Sequence, residues 1–108
     1  MAREKFQTLT EQMFYILLCL GQERCGADVM AWISETTGGR VAVGPGTLYN
    51  LLEQFLQAGY IRETKVVGRK RSYVITSAGQ EALEAEVRRL RQLTADYERL
   101  GQMEGGAL

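Results

Sequence analysis

The sequence of residues 44–59 is GPGTLYNLLEQFLQAG, and this stretch decides the fold. Pro45 fits a first helical turn because its missing N–H would have no partner there, and Gly59 can adopt the left-handed conformation that ends a helix. Apolar residues between them recur at spacings of three and four, which predicts a helix with one apolar face. That face is made by Leu48, Leu51, Leu52, Phe55 and Leu56.

The opposite face of this helix has two interpretations. It carries little charge and presents hydroxyl and amide groups at Thr47, Asn50, Gln54 and Gln57. Such donors and acceptors near a helix N-terminus are what base-edge recognition in a major groove requires. Taken alone, however, the stretch favours an ordinary amphipathic helix.

Composition indicates one globular domain. The chain has 108 residues, 45% hydrophobic and 24% charged, enough for one modest core. A net charge of zero argues mildly against DNA binding, because nucleic-acid-binding domains are often basic. The charge is unevenly spread, however: residues 62–73 carry a local net of +4 and residues 80–104 a local net of −2. One region is therefore suited to a polyanion.

The sequence predicts a cytoplasmic protein with no membrane association, metal or cofactor. No apolar run has membrane-spanning length, and the N-terminus lacks a signal-peptide core. Cys19 lies in an apolar helical run and is predicted to be a small core residue. Two cysteines without a histidine argue against a structural zinc site, and a disulfide would conflict with the inferred compartment.

A first helix is predicted from Thr8 to Leu20. Thr8 and Glu11 have the spacing of a capping box, in which each side chain satisfies a free N–H at the helix start. The apolar stripe of this helix is wide, and Phe14 and Leu18 extend it. Two interpretations stay open: the helix contacts both the core and a partner subunit, or it is simply a well-buried core helix.

A short turn over residues 21–26 is predicted to lead into a second helix. This helix spans residues 27–37 and ends at Gly38-Gly39. Trp32 lies off the apolar line of the helix, so it is either partly exposed or packed, and the packed or half-packed arrangement is favoured.

The period of the pattern changes after the third helix. Residues 60–67 and 72–76 are β-prone runs joined by Gly68-Arg69-Lys70-Arg71, which predicts a hairpin with a basic tip. An isolated hairpin is marginal in water, so it must pack on the helices. A basic tip is often only a solvated turn that protects a sheet edge. Three consecutive cations beside a polar helix face favour phosphate contact instead.

The last helix is predicted over roughly residues 78–100, starting from Thr76 or Ser77. Its apolar residues have near-heptad spacing, which is typical of a helix-pairing surface. We call this set the C-terminal stripe: Leu83, Val87, Leu90, Leu93, Tyr97 and Leu100. One small domain cannot cover a stripe of this length, which favours dimerisation. Residues 101–108 are predicted to be a flexible tail.

The predicted order is three helices, a basic hairpin and a long helix. The fold class is therefore α+β, mostly α: a winged helix-turn-helix over residues 8–76 and a dimerisation helix over residues 77–100, within a single domain. Several short motifs carry a family likeness: Gly26, Gly38-Gly39-Arg40, Pro45-Gly46-Thr47-Leu48-Tyr49, Gly59-Tyr60-Ile61, Gly68-Arg69-Lys70-Arg71-Ser72-Tyr73 and Ile75-Thr76-Ser77-Ala78-Gly79.

Through these motifs, over about residues 8–93, the chain resembles the PadR family of bacterial transcriptional regulators. Its length and single C-terminal helix resemble the short branch of that family. Two positions depart from the family pattern. Gly44 stands where a serine often caps the third helix, and Ala27 stands where a tyrosine often follows the glycine of the second helix.

The resemblance implies a homodimeric DNA-binding protein, typically a repressor, on an inverted-repeat operator. Contacts with double-stranded DNA are expected from Pro45, Gly46, Thr47, Tyr49, Asn50, Arg69, Lys70, Arg71 and Tyr73. Whether Tyr49 faces DNA or packs inward stays open. The dimer contact is expected from Phe14, Leu17 and the C-terminal stripe. In several relatives a small molecule loosens the DNA complex. In this chain a planar aromatic effector would contact Phe6, Phe14, Trp32 and Tyr97. The alternative is that these residues are only the core of the dimer interface and that no effector exists.

Two other classes of function fit the sequence less well. An enzyme is not expected, because the sequence has no histidine, metal-ligand cluster, phosphate-binding loop or nucleophile motif. A winged-helix module that binds protein instead of DNA is the alternative, and it would use the C-terminal stripe and Trp32. The basic hairpin beside a polar helix face disfavours that alternative.

Overall fold

Four helices and three strands make up residues 8–103, the part of the chain that the computed structural model describes. In chain order they are α1 (Glu11–Cys19), β1 (Arg24–Cys25), α2 (Gly26–Thr36), α3 (Pro45–Ala58), β2 (Ile61–Val67), β3 (Lys70–Ile75) and α4 (Ser77–Met103). This order confirms the predicted fold class, a winged helix-turn-helix followed by a long C-terminal helix. Over the described residues, no helix is both long enough and apolar enough to cross a bilayer.

Helix α1 begins later than predicted, and the capping box of Thr8 and Glu11 is wrong. The N-cap is Thr10, whose hydroxyl accepts a hydrogen bond from the Met13 N–H at 3.1 Å. Leu9 is buried in the core, and the backbone is still extended at Thr10, with φ of −69° and ψ of 167°, so the helix begins only after it. Glu11 forms a salt bridge with Arg40 instead.

The segment 21–26, predicted as a turn, contains the short strand β1. Arg24 pairs with Tyr73 and Cys25 with Ser72, so β1 forms an antiparallel edge on β3. A strand of two residues has no periodicity of its own, because its hydrogen bonds come from a partner distant in sequence. The sheet order is β1-β3-β2.

Trp32 on α2 is half-buried against the core, as the favoured interpretation predicted. The guanidinium carbon of Arg24 lies 5.5 Å from the centre of its ring, a cation–π arrangement. Cys19 is buried as predicted, and burial raises the pKa of its thiol to about 11.

Helix α3 has the predicted bounds. Gly44 is its N-cap and offers no side-chain hydrogen bond, in keeping with the absence of a serine there. Gly59 has φ of 80° and ends the helix in the left-handed conformation. The buried face of the helix consists of Leu48, Leu51, Leu52 and Phe55. The Phe55 ring stacks on Tyr60 with 6.1 Å between ring centres.

Strands β2 and β3 form the hairpin, which we call the wing. Its turn is tighter than predicted, because only Gly68 and Arg69 lie between paired Val67 and Lys70. Gly68 has φ of 61°, the positive value that a two-residue hairpin turn requires. Lys70 and Arg71 therefore belong to β3, and they project to opposite faces of the sheet.

The start of α4 is packed against the turn at the end of α3. The Thr76 hydroxyl donates a hydrogen bond to the Gly59 carbonyl at 2.6 Å, and it accepts one from the Gly79 N–H at 3.1 Å. A Cβ on Gly79 would lie 2.1 Å from the Tyr60 carbonyl oxygen, so only glycine permits this approach. From here α4 runs for 27 residues, about 40 Å.

Glu86 on α4 is a buried carboxylate that no local sequence signal marks as buried. It accepts a hydrogen bond from the Leu9 N–H at 3.1 Å and forms a salt bridge with Arg89. The hydrogen bonds from Arg89 lower the pKa of Glu86, burial opposes this shift, and the Leu9 N–H adds to it. Glu86 thereby joins α4 to the residues that lead into α1.

Candidate nucleic-acid interface

The N-terminal end of α3 is exposed, because the apolar face of the helix is turned into the core. Thr47 and Asn50 lie on its outer face, while Gln54 is half-buried further along. Gly44, Pro45 and Gly46 are exposed, and no atom lies within 4 Å of a Cβ placed on either glycine. The free N–H groups of this helix start are therefore open to an anion such as a phosphate.

The wing places three cations beside α3. Arg69 lies in the turn, whereas Lys70 and Arg71 follow it on β3, and all three are exposed. Arg71 Nη1 lies 3.1 Å from a carboxylate oxygen of Glu63 across the hairpin. Within residues 8–103, Arg69 and Lys70 have no ion-pair partner. The three cations are thus unequal: one is already compensated in the free protein.

A groove connects α3 to the wing. It has a volume of about 260 Å³, and we call it the tyrosine groove. Its lining residues are Cys25, Gly26, Ala27, Tyr49, Arg69, Lys70, Arg71 and Tyr73. The first turn of α2, one side chain of α3 and the basic wing therefore form one continuous surface, which the sequence alone did not predict.

Tyr49 forms part of this groove and is 49% exposed, so it is not a core residue. This exposure disfavours the inward packing that the sequence left open. The ring lies across the start of α2, with its hydroxyl and the adjacent ring atoms next to Gly26.

Tyr73 was expected to contact DNA, and its burial shows that this expectation is wrong. It is only 4% exposed and belongs to the hydrophobic core, where β3 lies between β1 and β2. Burial raises the pKa of its hydroxyl, and the nearby Glu63 carboxylate adds to the shift. Alternation along β3 turns Tyr73 inward, so it supports the wing rather than extending from it.

The residues expected at a dimer contact have different surroundings. Leu17 is completely buried in the core of its own domain and cannot contact a partner, which corrects that expectation. Its neighbour Leu18 is 42% exposed and lies on the outer side of α1. Phe14, Leu83 and Val87 are half-buried. The remainder of the C-terminal stripe is exposed: Leu90, Leu93, Tyr97 and Leu100.

The four residues proposed for an effector are not brought together in one chain. Phe14 lines a cavity of about 410 Å³ between α1 and α4, next to Tyr15 and Leu90. Trp32 and Tyr97 do not line it, and Phe6 lies outside the described residues. The described part of the chain contains no group of three or more side chains suited to hold a metal ion.

Comparison with known proteins identifies relatives of this arrangement. The family model described as "Transcriptional regulator PadR-like family" matches residues 16–85. A search of curated proteins found no match. A complex structure of RosR, a protein of H. salinarum, is 26% identical with a TM-score of 0.66, and the alignment covers 90% of this chain and 87% of that one.

Two further solved structures share the fold. A transcriptional regulator from Clostridium thermocellum has a TM-score of 0.71 at 19% identity, over 81% of this chain and 86% of that one. Bacillus subtilis PadR, solved in complex with operator DNA, has a TM-score of 0.60 at 23% identity. That alignment covers 70% of this chain and 47% of the longer B. subtilis chain.

Proposed function

Because the chain belongs to the PadR-like family of transcriptional regulators, we propose that it is a homodimeric repressor that binds an inverted-repeat operator in the cytoplasm. Members of this family are transcriptional regulators and not enzymes, which agrees with the prediction of a DNA-binding regulator from the sequence. One observation carries the proposal most directly. Tyr49, on the exposed side of the first turns of α3, and the three cations of the wing border the same groove.

The two sides of this surface have different roles in the proposal. Thr47 and Asn50 enter the major groove of DNA, where amide and hydroxyl groups recognise base edges. The N-terminus of α3 at Pro45 and Gly46 meets a phosphate. Arg69, Lys70 and Arg71 bind the flanking backbone, which supplies affinity without sequence preference.

Dimerisation in the proposal uses the exposed part of the C-terminal stripe. Leu90, Leu93, Tyr97 and Leu100 extend along α4 beyond the residues that pack on the core. Leu18 replaces Leu17 as the leucine that α1 contributes, since only Leu18 is accessible. A second copy with the same stripe would bury both sets of apolar side chains.

The first experiment tests specific DNA binding. We expect a duplex from the promoter of the protein's own gene to bind more tightly than a duplex of the same composition in scrambled order. Fluorescence anisotropy at two salt concentrations separates sequence preference from general charge attraction. Equal binding to both duplexes, together with a stable complex to another protein, would favour the protein-interaction alternative. The half-burial of Trp32 beneath Arg24 already reduces the surface available for that alternative.

Asn50→Ala is expected to reduce affinity for the preferred operator by roughly 1–3 kcal/mol, because a bidentate amide–base contact is lost. Affinity for the scrambled duplex should change little. Gln57→Ala is a suitable control, since Gln57 is on the same helix near its other end. Anisotropy titrations of both variants with both duplexes provide the measurement. An equal loss on the two duplexes would place Asn50 outside base recognition.

We also propose a small planar aromatic effector for the cavity between α1 and α4. Phe14 contributes its ring there, with the Tyr15 ring edge-on and 5.4 Å away between centres. A ligand that prefers the free dimer lowers operator affinity by the same factor by which DNA lowers ligand affinity. Calorimetric titration of an anionic naphthalene dye should therefore show weaker binding to the operator complex than to the free protein. The same affinity in both states would contradict the mechanism.

A further inference from the structure

The phenol of Tyr49 rests directly against Gly26, the first residue of α2. A Cβ placed on Gly26 would lie 2.7 Å from the Tyr49 hydroxyl oxygen, 2.9 Å from Cε1 and 3.0 Å from Cζ. These are the three nearest atoms, and all belong to one side chain. Gly26 is buried although Tyr49 is half-exposed, so the ring covers the glycine.

The backbone does not require glycine at position 26. Within the described residues, the glycines with positive φ are Gly38, Gly39, Gly59 and Gly68, so Gly26 adopts a conformation open to any L residue. Alanine is also the better helix former. The contact with Tyr49 is therefore the feature of the structure that a side chain at position 26 would disturb.

The position of the Tyr49 ring decides the shape of the tyrosine groove. The ring borders the groove on the α3 side, and Arg69, Lys70 and Arg71 border it on the wing side. If the Tyr49 ring moved away from α2, it would enter the open space of the groove. We propose that Gly26 is a positioning residue for DNA binding: its missing side chain lets the Tyr49 phenol lie against α2, which keeps the groove open to the DNA backbone. This inference rests on the proposed function.

Gly26→Ala should displace the ring without unfolding the domain. The atoms that clash are at the far end of a side chain, and rotation of that side chain relieves the contact at small cost. We expect about a tenfold loss of affinity, as for one lost interaction at the interface, on the operator and the scrambled duplex alike. The melting temperature should stay close to that of the wild type.

A double-mutant cycle tests whether Gly26 acts through Tyr49. In the Y49A background there is no ring to displace, so adding G26A should leave DNA affinity unchanged. Y49F retains most of the ring and should remain sensitive to G26A. If G26A weakens binding by the same factor with and without the ring, the inference is overturned.

A second measurement does not depend on DNA. An aromatic ring shifts the NMR resonances of protons close to it, so the Gly26 Hα resonances should move in Y49A and stay nearly in place in Y49F. Unchanged Gly26 resonances in Y49A overturn the inference even if the protein binds its operator. A wild-type protein that shows the ring effect but binds no duplex overturns the proposed function, and with it the role of Gly26 in DNA binding.

Discussion

Replacing Leu93 with Asp is expected to convert the dimer into a monomer and to lower operator affinity by roughly 10²–10⁴-fold. Leu93 is 50% exposed in the single chain, on the part of α4 that extends beyond the core. Burial of a leucine contributes about 1.5–3 kcal/mol, and a symmetric contact loses this twice. A carboxylate buried without a partner adds a penalty of several kcal/mol.

The loss of DNA affinity follows from the geometry of two half-sites. In a dimer, binding of one recognition helix holds the other near its half-site at a high effective concentration, and a monomer loses this advantage. Wild-type protein should also protect two half-sites separated by about one helical turn or a multiple of it. Light scattering at micromolar concentration gives the mass, and footprinting gives the spacing.

Ala95→Asp is the matched control for this prediction. Ala95 is exposed on the same helix and lies about 200° around the axis from Leu93, so an acidic residue there faces away from the stripe. It should remain a dimer with wild-type affinity. Leu93 is preferred to Leu90 for this test because Leu90 also borders the cavity between α1 and α4. A charge at position 90 would therefore disturb the fold as well as the dimer contact. A wild-type mass equal to one chain would refute dimerisation through α4.

Replacing Arg69, Lys70 and Arg71 together with Ala is expected to weaken binding to every duplex and to flatten its salt dependence. Each phosphate contact that is lost reduces the slope of log K against log salt by about 0.9, because fewer condensed counterions are released on binding. The preference for the operator over a scrambled duplex should persist, since it depends on α3. Anisotropy titrations over a series of salt concentrations measure both quantities.

The structure predicts that the three cations differ. Arg71 is paired with Glu63 in the free protein, so Arg71→Ala should reduce the slope less than Arg69→Ala or Lys70→Ala. Glu63→Gln is the informative control, because it frees Arg71 for phosphate and should strengthen binding and steepen the slope. A triple variant with the wild-type slope would show that the wing does not contact phosphates.

Local sequence signals predicted α3, the wing and α4 because the forces that specify them act over a few residues. Pro45 at the helix start, Gly59 at its end and the apolar spacing between them specify α3, and each of these signals acts within about one helical turn. The turn of the hairpin is likewise specified locally, by the positive φ of Gly68. The residues at the exposed end of α3 and on the wing could therefore be named from the sequence, apart from Tyr73.

Tertiary structure decided what depends on partners distant along the chain. Strand β1 exists because β3 supplies its hydrogen bonds, and Tyr73 is buried because the strands on both sides enclose it. Leu17 and Leu18 are neighbours of the same type, and only packing against the other helices determines which one is accessible. Tyr49 on α3 contacts Gly26 on α2 because Gly26 has no side chain. The sequence shows the glycine but not the residue that faces it, so this contact could not be predicted.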